Sequence, residues 1–362
     1  DGSSLGERIK LARRGHIMRI LGIESSCDET AVALYDGDVD SGQGKLLAER
    51  IASQIATHAR FGGVVPEVAS REHLKVLPML VNQVLDDAQS HWNDVDAIAV
   101  TAGPGLMGAL LVGTSYARAA GLVNHIPVLP IHHMEGHLLA AGLSHELPDF
   151  PFITLLVSGG HTMLVRVDAV GKYRIIGQTL DDAAGECFDK SARVLGLPYP
   201  GGPEISRCAV GGDAKRFKLP RPMLQHDHLN FSFSGLKTAV MYAMRDVGEI
   251  TPQIRQDMAA SMEAAVGDVL VKKSLRACQQ YGVPRLLMAG GVAANRYLRN
   301  LLEKEARQQG VSVTLPNADY CTDNAAMIAF AAFKRFQYDL VEGEAWDARP
   351  RWSLTDLKYN AA

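Results

Sequence analysis

Residues 152–167 hold two short apolar runs, Phe152-Ile153-Thr154-Leu155-Leu156-Val157 and Thr162-Met163-Leu164-Val165-Arg166-Val167, around Ser158-Gly159-Gly160-His161. Apolar and β-branched residues in runs this short predict strand, tight turn, strand. Paired glycines in such a turn leave N–H groups uncovered by any Cβ and let an anionic group approach the main chain. Most Gly-Gly turns are ordinary hairpins, but this one has a counterpart. Residues 20–35 repeat the strand-turn-strand pattern, with Ser25, Ser26, Asp28 and Glu29 in place of the glycines. Two such units, one opening each half of the chain, predict a duplicated α/β fold facing a central cleft. One turn supplies hydroxyls and carboxylates and the other bare backbone donors, a combination suited to a phosphate bridged by a cation.

A chain of 362 residues has room for two domains, each with its own core. The five cysteines, Cys27, Cys187, Cys208, Cys278 and Cys321, are odd in number and lack CxxC spacing, which argues against a disulfide framework and a zinc knuckle. A net charge of −3 confines any nucleic-acid site to a local patch. Residues 1–17 are polar and basic, with no apolar run fit for a signal peptide, and Met18 opens the first strand. They read as an appended leader, the natural chain starting at Met18. No run approaches the roughly 18 consecutive apolar residues of a membrane span, so a cytoplasmic protein without membrane contact is expected.

After a third strand near 46–55, the loop Phe61-Gly62-Gly63-Val64-Val65-Pro66 leads to a helix expected over 70–89, with Pro78 marking a kink. Ala97-Ile98-Ala99-Val100-Thr101 is a buried strand ending in Ala102-Gly103-Pro104-Gly105, followed by a small-residue helix over 106–122 that suits either core or a dimer surface. Strand, Gly-rich loop, helix is an α/β signature that places ligand loops at strand carboxyl ends.

Val128-Leu129-Pro130-Ile131 runs into His132-His133-Met134-Glu135-Gly136-His137. On a helix His133 and His137 share a face, as two imidazoles on one metal ion require; the competing reading is a pair of satisfied core or cap histidines. Glu135 falls roughly 200° around that helix from His133, which is not the H-E-x-x-H arrangement of a metalloprotease. Downstream, 179–190 begins acidic and is expected to be helical, and Leu197-Pro198-Tyr199-Pro200-Gly201-Gly202 reads as a rigid turn. Asp189 and Gly202 are candidates for a ribose or another polyol. Residues 213–237 interleave Lys215, Arg216, Lys218, Arg221 and Lys237 with Phe217, His226, His228, Phe231 and Phe233, which suits either RNA or a solvated basic face. Gly290-Gly291 closes a strand before the helix opened by Asn295 and Arg296, a second anion or nucleotide site. Asp323, near the start of the last helix, is either a third metal ligand or an N-cap.

In this order the pieces resemble the universal tRNA threonylcarbamoyladenosine synthases, the family of bacterial TsaD proteins once labelled glycoproteases. The motifs that carry the resemblance are Gly22-Ile23-Glu24-Ser25-Ser26-Cys27-Asp28-Glu29-Thr30, His132-His133-Met134-Glu135-Gly136-His137 and Leu156-Val157-Ser158-Gly159-Gly160-His161-Thr162. Asp181-Asp182-Ala183-Ala184-Gly185-Glu186, Phe231-Ser232-Phe233-Ser234-Gly235-Leu236-Lys237, Met288-Ala289-Gly290-Gly291-Val292-Ala293-Ala294-Asn295 and Cys321-Thr322-Asp323-Asn324 extend it over 18–352.

The resemblance implies an actin-like (ASKHA) duplicated α/β fold with two lobes around a nucleotide cleft. A first lobe over 18–130, joined by a terminal helix at 324–340, and a second over 131–323 carrying the metal and nucleotide sites are then expected. It further implies iron or zinc on His133, His137 and Asp323, with Mg²⁺ accompanying the nucleotide as a further cation. Nucleotide contacts fall on Leu156, Val157, Ser158, Gly159, Gly160, Asp189, Gly202 and Asn295, with Gly290 and Gly291 beside them. The implied reaction moves a threonylcarbamoyl group from threonylcarbamoyl-AMP to the exocyclic amine of the adenosine next to the anticodon in tRNAs reading ANN codons, releasing AMP. Implied partners are tRNA, the inactive paralogue TsaB and the P-loop ATPase TsaE. Asp28 or Glu29 would orient the attacking amine or hold a bridging cation. The competing readings are an actin-like ATPase or sugar kinase, a metalloprotease, and a scaffold that merely binds nucleotide.

Overall fold

A computed structural model describes residues 17–340 and 345–357. The leader expected over 1–17 lies outside the described residues except for Ile17, which opens a strand. The chain divides into two units, the first running to Glu146, taking in Val170–Lys172 and resuming at Asp323, the second covering Leu147–Ala169 and Tyr173–Thr322.

The first unit is built on a five-stranded sheet of β1 (Ile17–Glu24), β2 (Glu29–Asp38), β3 (Gly44–Ser53), β4 (Ala97–Gly103) and β5 (Val128–His132), in the order β3-β2-β1-β4-β5. β1 and β2 are antiparallel, β1 and β4 parallel. Every residue of β4 is buried, the mark of a strand covered on both faces. Alternation along β1 shows by what. Gly22 faces the last helix, for a Cβ there would press on Ala325 and Ala329, while the next residue, Ile23, faces Gly113 on the opposite side. That side carries α2 (Pro66–Asp87) and α3 (Met107–Asn124), which follow the short α1 (Ile55–Ala59). Pro66 starts α2 earlier than the 70–89 expected, since proline at N1 lacks only a donor that would be orphaned there.

The second unit repeats the plan with β6 (Phe152–Val157), β7 (Thr162–Ala169), β8 (Lys172–Gln178), β9 (Arg285–Ala289) and β10 (Ser312–Thr314), in the order β10-β9-β6-β7-β8. Read from the other edge, each strand has its equivalent in the first sheet: β6 for β1, β7 for β2, β9 for β4. The hairpin turns at 25–28 and 158–161 occupy matching places, which is the duplication expected from sequence. α4 (His133–Leu139) follows β5 in the first unit. α5 (Ala184–Val194), α6 (Gly201–Cys208), α7 (Ser234–Asp246), the long α8 (Pro252–Tyr281) and α9 (Arg296–Gln308) run between the strands of the second, and α10 (Ala326–Gln337) follows β10 in the part of the chain that returns to the first unit.

The division differs from the expected 130/131 boundary. β5 is an edge strand of the first sheet, and α4, which leaves it directly, packs on α10 of the same unit. His133, His137 and Asp323 therefore all belong to the first unit, whereas Ser158, Asp189, Gly202 and Asn295 belong to the second. Residues 179–183, expected to be helical, are not. Asp181 instead accepts bonds from Ser232 Oγ (2.5 Å), Phe233 N (2.8 Å), Ser234 N (3.3 Å) and Ser234 Oγ (2.7 Å), so its carboxylate caps α7.

Candidate metal centre and anion-binding loops

β5 ends in His132, whose ring is spent on structure. Its Nδ1 accepts from Met134 N (3.1 Å), and its Nε2 bonds the Trp352 carbonyl (3.1 Å). One residue on, α4 begins, and its pitch brings His133 and His137 together with ring centroids 4.8 Å apart. Asp323, in the turn before α10, meets them: its Oδ1 lies 3.4 Å from His133 Nε2 and 3.0 Å from His137 Nε2. One ligand atom from each of the three falls within 4.8 Å of the others, the one such group among the described residues. Two imidazoles and a carboxylate form a donor set that suits a divalent transition metal, zinc and iron alike.

Glu24, at the end of β1, supplies what sequence reasoning missed. It is fully buried, and its Oε2 accepts a hydrogen bond from His133 Nδ1 (3.0 Å) and from Thr101 Oγ1 (2.5 Å), while Oε1 accepts from Ser26 N (2.6 Å). A carboxylate on the outer nitrogen of a ligand histidine fixes ring and tautomer so that the other nitrogen faces the metal. The signal was a lone acid in Ile20-Leu21-Gly22-Ile23-Glu24, since a buried carboxylate needs partners. Burial disfavours protonation of His133, yet the Glu24 and Asp323 carboxylates outweigh it and hold the imidazole well above its usual range. Burial likewise pushes the Asp323 carboxyl up, but His133 and His137 hold it well below the ordinary value.

Asp28 and Glu29 follow β1 on the hairpin turn. Asp28 is buried and Glu29 half-buried. Burial, reinforced by the Asp28 and Asp323 carboxylates, pushes the Glu29 carboxyl up to about 9. Acidic groups that resist ionising together mark a place where a cation or a proton-transfer role fits. Glu135 is elsewhere: it forms a buried ion pair with Arg335, Nη2 to Oε2 at 2.6 Å, and takes no part in the His133–His137 group.

In the second unit the Ser158–His161 turn closes on itself, Ser158 N donating to His161 O (2.8 Å) and His161 N to Ser158 Oγ (3.1 Å). Gly159 and Gly160 have no atom within 4 Å of where a Cβ would stand, so their backbone borders open space. Gly202 and Gly291 are similarly open, the nearest atoms being Phe188 Cβ at 4.0 Å and Thr322 Cγ2 at 3.9 Å. The side chains of Leu156 and Val157 are fully buried, so this strand end offers a ligand only main chain. Asp189 Oδ1 accepts from Gly201 N (2.7 Å) and orients the first turn of α6. Asn295 caps α9, accepting from Leu298 N (2.9 Å) and donating to Ser206 Oγ (2.8 Å) and Glu263 Oε1 (2.7 Å). Gly290 has a structural reason: at φ +91 it lies against the Val157 backbone where β9 meets β6.

The basic and aromatic stretch at 213–237 is mixed: Lys215, Arg216, Lys218, His226, His228 and Lys237 are exposed, while two of its phenylalanines are core. Phe231 and Phe233 are fully buried, while Arg216 pairs with Asp257 (2.7 Å) and Arg221 with Asp268 (2.9 Å) on α8. Phe231 and Phe233 are therefore closed to a base, whereas Phe217 is half-buried and His226 and His228 are exposed. No described helix is long and apolar enough to cross a membrane.

Residues 45–330 match the family model described as tRNA N6-adenosine threonylcarbamoyltransferase. Proteins of that name from Polaromonas naphthalenivorans and Bordetella petrii are 50% and 52% identical to this chain, over 95% and 94% of it and 98% of their own lengths. One from Paracidovorax citrulli is 53% identical over 93% of the chain and 98% of its own. Among solved structures, full-length HypF in its phosphate- and nucleotide-bound form aligns with TM-score 0.57 at 13% identity, over 91% of this chain and 47% of that one. HypF of T. kodakarensis aligns at 0.58 with 12% identity, over 89% and 48%. Likeness at that identity concerns fold alone, and it is that of the actin-like duplicated α/β class.

Proposed function

The chain belongs to the tRNA N6-adenosine threonylcarbamoyltransferase family, and on that premise we propose how its two units divide the transfer of a threonylcarbamoyl group to an adenosine amine of tRNA. The donor is threonylcarbamoyl-AMP and the product AMP. The acceptor is the exocyclic amine of the adenosine beside the anticodon in tRNAs reading ANN codons, splayed from its loop so that the amine is accessible. The observation that carries this reading is the His133–His137–Asp323 group, which an actin-like ATPase or sugar kinase has no use for. Those three residues would hold one iron or zinc ion. When bound, such an ion supplies Lewis acidity toward the carbamoyl carbonyl and neutralises phosphate charge.

The remaining work falls to the chain's own groups. Glu24 holds the His133 ring in the tautomer that presents Nε2. The main chain at Gly159 and Gly160, open where a Cβ would stand, and the first turn of α6 at Gly202 receive the phosphate and sugar of the nucleotide, with Mg²⁺ as counter-ion. Asp28 or Glu29 orients the attacking amine or takes its proton. The exposed groove between α2 and α3, lined by Leu74, Leu77, Pro78, Leu111 and Tyr116, is where the paralogue TsaB docks, and TsaE joins that assembly in the cytoplasm.

The test is AMP release in the presence of both threonylcarbamoyl-AMP and tRNA, with TsaB and TsaE supplied. Release that depends on both substrates and falls at least tenfold in His133→Ala and His137→Ala supports the reading. Release without tRNA returns the chain to a hydrolase or ATPase, and undiminished transfer in both variants removes the metal from the reaction.

A further inference from the structure

Glu135 stands between the two histidine ligands on α4, directed away from them and fully buried. Its Oε2 accepts from Arg335 Nε (2.8 Å) and pairs with Arg335 Nη2 (2.6 Å), and the same guanidinium donates through Nη1 to the Pro130 carbonyl (2.6 Å). Arg335 is itself only 1% exposed. One side chain of α10 thus grips both the end of β5 and the helix that carries the histidines.

The two helices touch at a second point. A Cβ on Gly136 would lie 3.1 Å from Met327 Cγ and 3.1 Å from Ile328 Cδ1, so α4 sits tightly on the first turn of α10, where any larger residue would make these side chains give by a few tenths of an ångström. That turn is tied to the third ligand. Asn324 Oδ1 accepts from Met327 N (2.8 Å), which caps the helix just after Asp323, and Glu49 Oε1 of β3 accepts from Ala325 N (3.0 Å) and Ala326 N (2.9 Å), which holds the same turn against the sheet. The distance from Asp323 to the imidazoles is therefore decided by where α4 rests along α10.

A buried ion pair adds little stability over apolar side chains of the same volume, because both charges must be desolvated, but it specifies a register that apolar contacts leave loose. Metal ligands tolerate deviations of only about 0.2 Å. We propose that the Glu135–Arg335 pair is a positioning element of the metal centre, holding α4 on α10 at the one register that brings Asp323 Oδ1 to both histidine Nε2 atoms. The inference rests on the reading of His133, His137 and Asp323 as a metal site and adds residues that touch neither metal nor substrate.

Two variants test it, Glu135→Met/Arg335→Met together, which removes both charges, and Glu135→Asp, which keeps them and shortens the reach. Each is titrated with Zn²⁺ after chelation, melted metal-free, and examined as the Co²⁺ form, whose visible spectrum reports coordination geometry. A metal-free Tm within a few degrees of the unsubstituted chain, with Zn²⁺ affinity at least ~10-fold weaker and an altered Co²⁺ spectrum, supports the proposal. Unchanged affinity and spectrum in a folded variant overturn it, and so does failure of both variants to fold, which would make the pair a stability element. The controls are the unsubstituted chain and His133→Ala/His137→Ala. Should these two bind Zn²⁺ alike, the metal reading itself falls, an outcome distinct from loss of the positioning role alone.

Discussion

Replacing Gly22 by alanine tests fold and site at once. Gly22 lies in β1, paired with Ala33 of β2 and Ala99 of β4, so the strand cannot retreat without breaking two ladders. A Cβ there would stand 3.0 Å from Ala329 Cβ and closer still to the Ala325 carbonyl oxygen. Carbon atoms in contact prefer about 3.5–4.0 Å, so α10 must lift by roughly 0.5–1 Å. Overpacking of this kind costs about 1–3 kcal/mol, from which the lower unfolded-state entropy of alanine returns about 0.4–1 kcal/mol. The net loss of up to about 2.6 kcal/mol lowers Tm by up to about 10 °C for a unit of this size. Asp323 lies two residues before Ala325, and a shift of its carboxylate by half an ångström exceeds the ~0.2 Å that a metal ligand tolerates. Gly22→Ala should therefore weaken Zn²⁺ binding at least ~10-fold. Thermal melts followed by circular dichroism, with and without Zn²⁺, read both effects. A variant with unaltered Tm and an unaltered metal-induced shift would show that α10 does not rest on β1 as described, and the argument linking strand packing to ligand geometry would collapse.

Three further outcomes are expected. Gly160→Ala adds a methyl group where no neighbour lies within 4 Å, so Tm should hold within a few degrees while AMP affinity, read by calorimetry, drops severalfold; unchanged affinity would remove this turn from the nucleotide site. Asp181→Ala strips the cap of α7 and should cost about 0.5–2 kcal/mol in urea unfolding at pH 7. Burial raises the Asp181 carboxyl, but bonds from Ser232, Phe233 and Ser234 outweigh it and hold it below the ordinary value. Its contribution is thus complete above the unfolded pKa of about 4 and lost as pH falls through the folded one, so the difference between the two proteins should narrow in that direction; a gap that widens on acidification contradicts the assignment. Leu111→Asp puts a charge in the α2–α3 groove, where Leu111 is 48% exposed, and should abolish co-elution with TsaB at unchanged Tm; retained co-elution would move the docking face elsewhere.

What could be read from sequence was what local geometry dictates. The i, i+4 spacing of His133 and His137 is a statement about helix pitch, and the two hairpin turns announced the duplication before any strand order was known. Asp323 is 186 residues from His137, and no periodicity reaches that far; its place near a helix start left metal ligand and N-cap both open, and the resemblance favoured the ligand. Glu24 went unnoticed for the same reason, its partner His133 being 109 residues away. The unit boundary was misplaced because β5 carries no local sign of the sheet it joins, whereas its parallel pairing with β4 settles the matter. Phe231 and Phe233 were candidates for base stacking because composition cannot tell an aromatic ring at the surface from one beneath it.

Glu135 shows how a negative inference from sequence becomes a positive one in three dimensions. Its angle on the helix ruled it out as a base acting beside His133 and His137, and left open why an acid should sit in a stretch where every neighbour is buried. A carboxylate there must find a cation or remain protonated. The cation is Arg335, 200 residues on and in the one helix that also leads from Asp323. The side chain that argues against hydrolysis thereby ties together the two helices that bring His133, His137 and Asp323 into one candidate metal site.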